Sequence, residues 1–176
     1  MSLVIAVKDK DRIVLGADKQ ASAGGAKDHT NIKIWEVEEL PGALMGGVGS
    51  ARASQILQYS QIIDKNLLGK DVDTEFIVRV LVPLIAMHLK NNGIVIDDSK
   101  EAGCNLMPNA FIFAYKDRAW TIWHDFSVSE IDSYLAIGSG SDVAKGVLYA
   151  TQDKDPFERI VTGIAAAAET TLYVDN

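Results

Sequence analysis

A chain of 176 residues, 48% hydrophobic and 23% charged, is long enough for one domain with a sizeable core. Its net charge of −7 argues against a broad nucleic-acid footprint, and its single cysteine, Cys104, excludes an intrachain disulfide framework and fits a reducing compartment. No apolar run of about 18 residues is present to cross a membrane, and MSLVIAVKDK lacks a basic segment ahead of its short apolar run, so a signal peptide is not expected and the expected setting is cytoplasmic.

The hydrophobic period changes in blocks along the chain. SLVIAV, the charged turn KDKDR and IVLGA form a hairpin pattern. IKIWEV alternates, with Ile32, Ile34 and Glu36 on one face and Lys33, Trp35 and Val37 on the other. LPG marks a turn, and ALMGGVG reads as a strand of small residues. Ser50–Leu68 then carries Ala53, Ile56, Leu57, Ser60 and Ile63 or Asp64 at helical spacing. Asp73 or Thr74 caps a second predicted helix through EFIVRVLVPLIAMHLKNN, with a kink expected at Pro83 and a stop at Gly93. The apolar residues of that helix run nearly all round, so burial on more than one side is expected.

Strands return in NAFIFAYK and RAWTIWHD, a hairpin about Asp117, and in SYLAIGSG. SDVAKGVLYATQ and DPFERIVTGIAAAAE read as helices, the second with Asp155 at the N-cap, Pro156 at N1 and Glu158 at N3. TTLYVDN reads as a closing strand. Strands, two helices, strands, two helices and a strand, with hairpins dominating, give an α+β class: a four-layer αββα sandwich, with two largely antiparallel sheets between helix pairs, in one domain over residues 1–176.

Several groups invite a chemical reading. Gly138–Ala144 follows a strand and precedes a helix in a G-x-G-x-x-A pattern, but a helix rather than a strand comes next, so a dinucleotide site is a weak reading beside a plain strand-to-helix turn with Ser141 as N-cap. His29, His88 and His124 lie in unrelated segments without metal-ligand spacing, so no metal and no cofactor is expected. Cys104 reads as a structural thiol, and Trp35, Trp120 and Trp123 as packing residues. Asp18 and Lys33 are the exception. Each is a charge in an otherwise apolar strand, and small residues flank Asp18, which leaves room for an approaching group. A partly buried pair of opposite charge beside open space is a functional candidate, against the plain reading of a surface ion pair of small value.

IVLGADKQASAG, NIKIWEV, ALMGGVGSARA, YLAIGSGSDVAKGVL and IVTGIAAAAETTLYVDN occur in the order and at nearly the spacing of one family. The chain resembles the proteasome β-type N-terminal nucleophile hydrolases, and among them the bacterial HslV-type peptidases. The resemblance implies the same αββα sandwich and a threonine-type endopeptidase chemistry, in which the N-terminal residue's hydroxyl attacks a peptide carbonyl and its free α-amine is the general base. It implies that Asp18 holds Lys33, that Lys33 keeps the nucleophile proton-poor, and that the Gly47 N–H serves an oxyanion hole. Ser139 would support the amine, and the backbone of Ser22 would pair with extended substrate.

Three departures accompany the match. The nucleophile's position falls on Ser2 rather than a threonine, and Ser2 has a free amine only once Met1 is removed, a removal that a small second residue favours. Thr171 stands where many family members have an aspartate, and the sequence stops at Asn176, about one strand short of the usual length. The resemblance further implies a homo-oligomeric ring with a proteolytic chamber, polypeptide substrate and an ATP-driven unfoldase as partner. The apolar helix around Ile77–Leu89 is the natural contact face. The alternative is a non-catalytic ring or scaffold subunit on the same fold.

Overall fold

The computed structural model describes residues 2–23, 26–28, 32–64, 71–94, 96–99, 104–171 and 174, with backbone alone at 21–23, 26–28, 97–99 and 104–105. The N-terminal hairpin joins β1 (Leu3–Asp9) to β2 (Arg12–Ala17), paired antiparallel from Val4↔Ala17 to Asp9↔Arg12. The short ribbon β3 (Ala21–Ala23) and β4 (Ala26–Asp28) follows. β5 (Ile34–Glu36) and β6 (Ala43–Gly49) come next, then α1 (Ala51–Gln58), capped at Ser50.

The second helical stretch starts at α2 (Thr74–Phe76), passes through a π-helical turn over Ile77–Leu81 and continues as α3 (Val82–Asn91). Asp73 is the cap, its carboxylate accepting from Phe76 N at 2.8 Å. The kink was expected at Pro83, which lies within α3; the irregularity is the π turn directly ahead of it, where a residue without an N–H cannot complete the regular ladder. The ribbon β7 (Asp97–Ser99) and β8 (Cys104–Leu106) leads to β9 (Asn109–Tyr115), β10 (Arg118–Ile122), β11 (Val128–Glu130) and β12 (Tyr134–Gly138). The chain ends in α4 (Ser141–Ala150) and α5 (Pro156–Thr170).

One sheet has the order β12-β1-β2 and the other β11-β10-β9-β6-β5, and every pairing in both is antiparallel. Strand alternation then sorts the apolar residues into three layers. Leu3, Ile5 and Val7 face α4 and α5, packed with Ala144, Leu148, Ile160 and Ala167. Val4 and Ala6 face the other way and meet Ala110, Ile112 and Ala114 of β9 between the sheets. Phe111 and Phe113 of β9 point outward again, toward Leu57 of α1 and Ile77, Leu81 and Ile85 of the second helical stretch. The result is the expected αββα sandwich.

Three local expectations are corrected. The first helix ends at Gln58, well short of Leu68. Its polypeptide leaves the helix so that Ile62 and Ile63 enter the core, and the buried Glu39 carboxylate accepts from Ile63 N at 3.3 Å. The second helical stretch buries Phe76, Ile77, Leu81, Val82, Ile85 and Leu89 and leaves Val78 and Met87 49% and 46% exposed. Gly140, not Ser141, holds the N-cap position of α4, without a side-chain bond. Lys33 sits just before β5 rather than inside it. Of the predicted closing strand, Thr171 has extended dihedrals and Val174 is buried, while Leu172, Tyr173, Asp175 and Asn176 lie outside the described residues. The tryptophans pack as expected, Trp35 edge-on to Phe111 and Trp120 tilted against Phe113.

Candidate active site

The β1–β2 ladder continues one step past β2, because Asp18 N donates to Leu3 O at 3.2 Å. That step turns the Asp18 side chain inward, where its exposure is 0%. Its carboxylate then has three partners: Oδ1 accepts from Leu3 N at 2.7 Å and from Lys33 Nζ at 2.6 Å, and Oδ2 accepts from Gln20 N at 3.2 Å. Burying an ionised carboxylate requires such compensation, and here both oxygens have donors.

Lys33 reaches the same point from the other sheet. It shares the buried face of its segment with Trp35 and Val37, whereas Ile32 and Glu36 are exposed. Its side chain is 5% exposed, and Nζ donates to Asp18 Oδ1 and, at 2.5 Å, to the Gln20 carbonyl. Burial pushes the Lys33 ammonium below the usual lysine range, and the hydrogen bond and charge of Asp18 oppose that push without cancelling it. The outcome is a buried lysine ammonium held in place by a carboxylate.

Ser2 lies beside this pair through its own peptide group. Its carbonyl accepts from Ser139 N at 3.0 Å, while the amide of the next residue, Leu3, is the one on Asp18. Among the described residues, the bonds of Lys33 Nζ go to Asp18 and Gln20, and a direct bond to Ser2 Oγ is not formed. Ser139 is exposed, and its hydrogen bond to Ser2 runs through the backbone N–H.

Gly47 lies on β6 in the same neighbourhood, with its N–H donating to the Lys33 carbonyl at 2.9 Å. The hydrogen expected to serve an oxyanion hole is therefore engaged in the inter-strand ladder. Glycine is required there by packing, since a Cβ would fall 2.8 Å from Ser54 Oγ and 2.9 Å from Phe111 Cε1. Ser22 lies in the β3 ribbon opposite Lys27.

The remaining sequence candidates separate from this site. Thr171 closes α5, its hydroxyl donating to Ala167 O at 2.7 Å. His124 Nδ1 lies 3.3 Å from Met107 O, His88 is on α3, and His29 is outside the described residues. Among the described residues no three His, Cys, Asp or Glu side chains group as metal ligands, and no helix is long and apolar enough to cross a membrane. A cavity of about 400 Å³ lined by Trp35, Glu38, Glu39 and Tyr59 opens elsewhere; Ser2, Asp18 and Lys33 do not line it. Sequence reasoning missed the amide and carbonyl of Gln20 and the amide of Leu3. Backbone roles of this kind leave no mark on residue type, so only their place beside Asp18 would have suggested them.

No family model matches the chain, and no curated protein matches it. Solved structures do. The chain superposes on Thiobacillus denitrificans BPH with a TM-score of 0.78 at 22% identity, covering 99% of this chain and 93% of that one. The same protein in complex with epoxomicin gives 0.73 at 20% identity, with the same coverage. Eukaryotic HslV from Trypanosoma brucei gives 0.68 at 20% identity, covering 98% and 94%. The chain has the αββα fold of the proteasome-type N-terminal nucleophile hydrolases.

Proposed function

We propose that this chain is a subunit of a proteasome- or HslV-like peptidase, with the Ser2 hydroxyl as nucleophile. The observation that carries the reading is the buried Lys33–Asp18 pair at 2.6 Å, tied at 2.7 Å to the peptide nitrogen next to Ser2. A buried ion pair is a poor source of stability, so its position at the chain's start points to chemistry.

The steps follow from the groups present. With Met1 removed, the α-amine of Ser2 has an ordinary pKa of about 7.7–8.0 and is partly neutral near pH 7. It takes the hydroxyl proton as Ser2 Oγ bonds to the substrate carbonyl carbon. The same proton passes to the leaving nitrogen as the C–N bond breaks, and water then hydrolyses the ester. Lys33 keeps the amine and hydroxyl proton-poor by its nearby positive charge, and Asp18 keeps Lys33 in place. The Gly47 amide serves the oxyanion by sharing or releasing its hydrogen from the Lys33 carbonyl. Extended substrate adds as a strand along Ser22. The working form is a cytoplasmic homo-oligomeric ring fed with polypeptide by an ATP-driven unfoldase.

The test is hydrolysis of fluorogenic peptides by protein whose loss of Met1 is verified by mass. Turnover that Ser2→Ala abolishes, together with a Ser2-dependent mass increase on incubation with epoxomicin, is the expected result. Absence of turnover in Met1-free protein, or equal turnover by Ser2→Ala, overturns the reading.

A second reading, a non-catalytic ring or scaffold subunit, is favoured by the engagement of the Gly47 amide with Lys33 O and by serine in place of threonine. Met1 intact in protein purified from its native host would support it.

A further inference from the structure

We propose that Gly138 is a positioning residue for Ser2, setting the direction from which the hydroxyl leaves the backbone. This rests on the peptidase reading for its catalytic consequence, though not for its geometry.

β12 ends at Gly138, opposite Leu3 in the register, and its φ of 106° is a conformation that L side chains rarely adopt. That turn aims the following N–H, of Ser139, at the Ser2 carbonyl, 3.0 Å away. A Cβ at 138 would fall 1.9 Å from Ser2 O and 2.8 Å from Ser2 C, with Val48 Cγ1 at 3.2 Å on the other side. The obstacle is backbone, so no rotamer change relieves it. Val48 belongs to the other sheet and its residue is buried, which limits escape in that direction.

The consequence lies in which peptide group is held. The carbonyl of the Ser2–Leu3 peptide is held by Ser139 N, and its N–H by Asp18 Oδ1. Both ends of one planar unit are thus fixed, from the residues just past the ends of β12 and β2. What remains to Ser2 is rotation about its own Cα bonds, so the position of Oγ relative to the Lys33–Asp18 pair follows from that plane. Any side chain at 138 must push the Ser2 carbonyl away and tilt the plane. Displacing a reacting group by about 1 Å costs on the order of a hundredfold in rate.

The experiment compares Gly138→Ala with Gly163→Ala in Met1-free protein. Gly163 faces Ile5 Cδ1, which a new Cβ would approach to 3.2 Å, so it strains the core away from Ser2. Peptide turnover is read alongside hydrogen exchange of the Ser139 amide and the Ser2 carbonyl-carbon resonance. Expected for Gly138→Ala are a kcat lower on the order of a hundredfold, an unchanged KM, faster Ser139 exchange and a shifted Ser2 resonance; Gly163→Ala leaves all four alone.

Gly138→Ala with native kcat and native Ser139 protection overturns the proposal. If Gly138→Ala does not fold, the wild-type protein decides. A Ser139 amide protected and coupled through its hydrogen bond to the Ser2 carbonyl carbon supports the proposal, and an amide that exchanges like an open turn overturns it. If the wild-type protein has no turnover, the peptidase reading fails, while the exchange and resonance arms still judge the positioning.

Discussion

At Lys33, burial and the Asp18 carboxylate pull in opposite directions, and the balance explains why the two residues stand or fall together. Each is a charge that the interior tolerates only in the presence of the other. Lys33→Met leaves the Asp18 carboxylate, with its side chain at 0% exposure, without its cation. The expected loss is about 3–5 kcal/mol in urea unfolding. The double variant Asp18→Asn with Lys33→Met removes both charges and should recover a large part of that loss, because an asparagine Oδ1 can still accept from Leu3 N. Peptide hydrolysis should recover in neither. Recovery of activity in the double variant would mean that the pair is structural. Asp18 and Lys33 were legible in the sequence because a charge interrupting an apolar strand is conspicuous. Their joint anchor on Gln20 was not, because it uses the peptide backbone.

Among the elements, the segment from Asp73 into the π turn is held to the five-stranded sheet by a polar strap. Arg118 on β10 forms a two-pronged pair with Glu130 on β11 at 2.7 and 2.6 Å, and the guanidinium lies 4.8 Å over the Trp120 ring. Thr74 is the hinge of this strap, donating to Glu130 Oε2 at 3.0 Å and accepting from Trp120 Nε1 at 2.9 Å. The ion pair is about one-third exposed on both sides and contributes little by itself. The indole is fully buried, so its N–H depends on Thr74. Thr74→Val should therefore destabilise the fold by about 1–3 kcal/mol, measured by urea unfolding, without altering the Lys33–Asp18 pair. Elements of this kind were only partly legible. Capping by Asp73 and Asp155 follows from local chemistry, whereas the end of α1 is set by the core drawing in Ile62 and Ile63, an effect that outweighs helical spacing.

At the scale of the molecule, five of the exposed large apolar side chains among the described residues lie on the two helical layers. Val78 and Met87 lie on the π turn and α3, and Tyr149, Phe157 and Val161 on α4 and α5. Exposure of 46–49% at Val78 and Met87 is what the ring proposed above would cover by subunit contact. The expected mass by light scattering is that of an oligomer. Val78→Glu combined with Met87→Glu should shift it toward the single chain while cooperative thermal unfolding persists. An unchanged mass would place the subunit contacts elsewhere.

What the sequence determined by itself was whatever depends on neighbours along the chain. Period two and period 3.6 marked the long strands and the helices though not the end of α1 or the short ribbons, turn chemistry marked the two hairpins, and alternation put Lys33 on the same face as Trp35 and Val37. Tertiary structure decided the rest, because these properties belong to atoms far apart in the chain. It brought Asp18 to Lys33 across fifteen positions, committed the Gly47 amide to the Lys33 carbonyl beside it, and set Gly138 against the carbonyl of Ser2. A residue type announces its side chain. Which backbone group it will face is decided only when the two sheets close on each other.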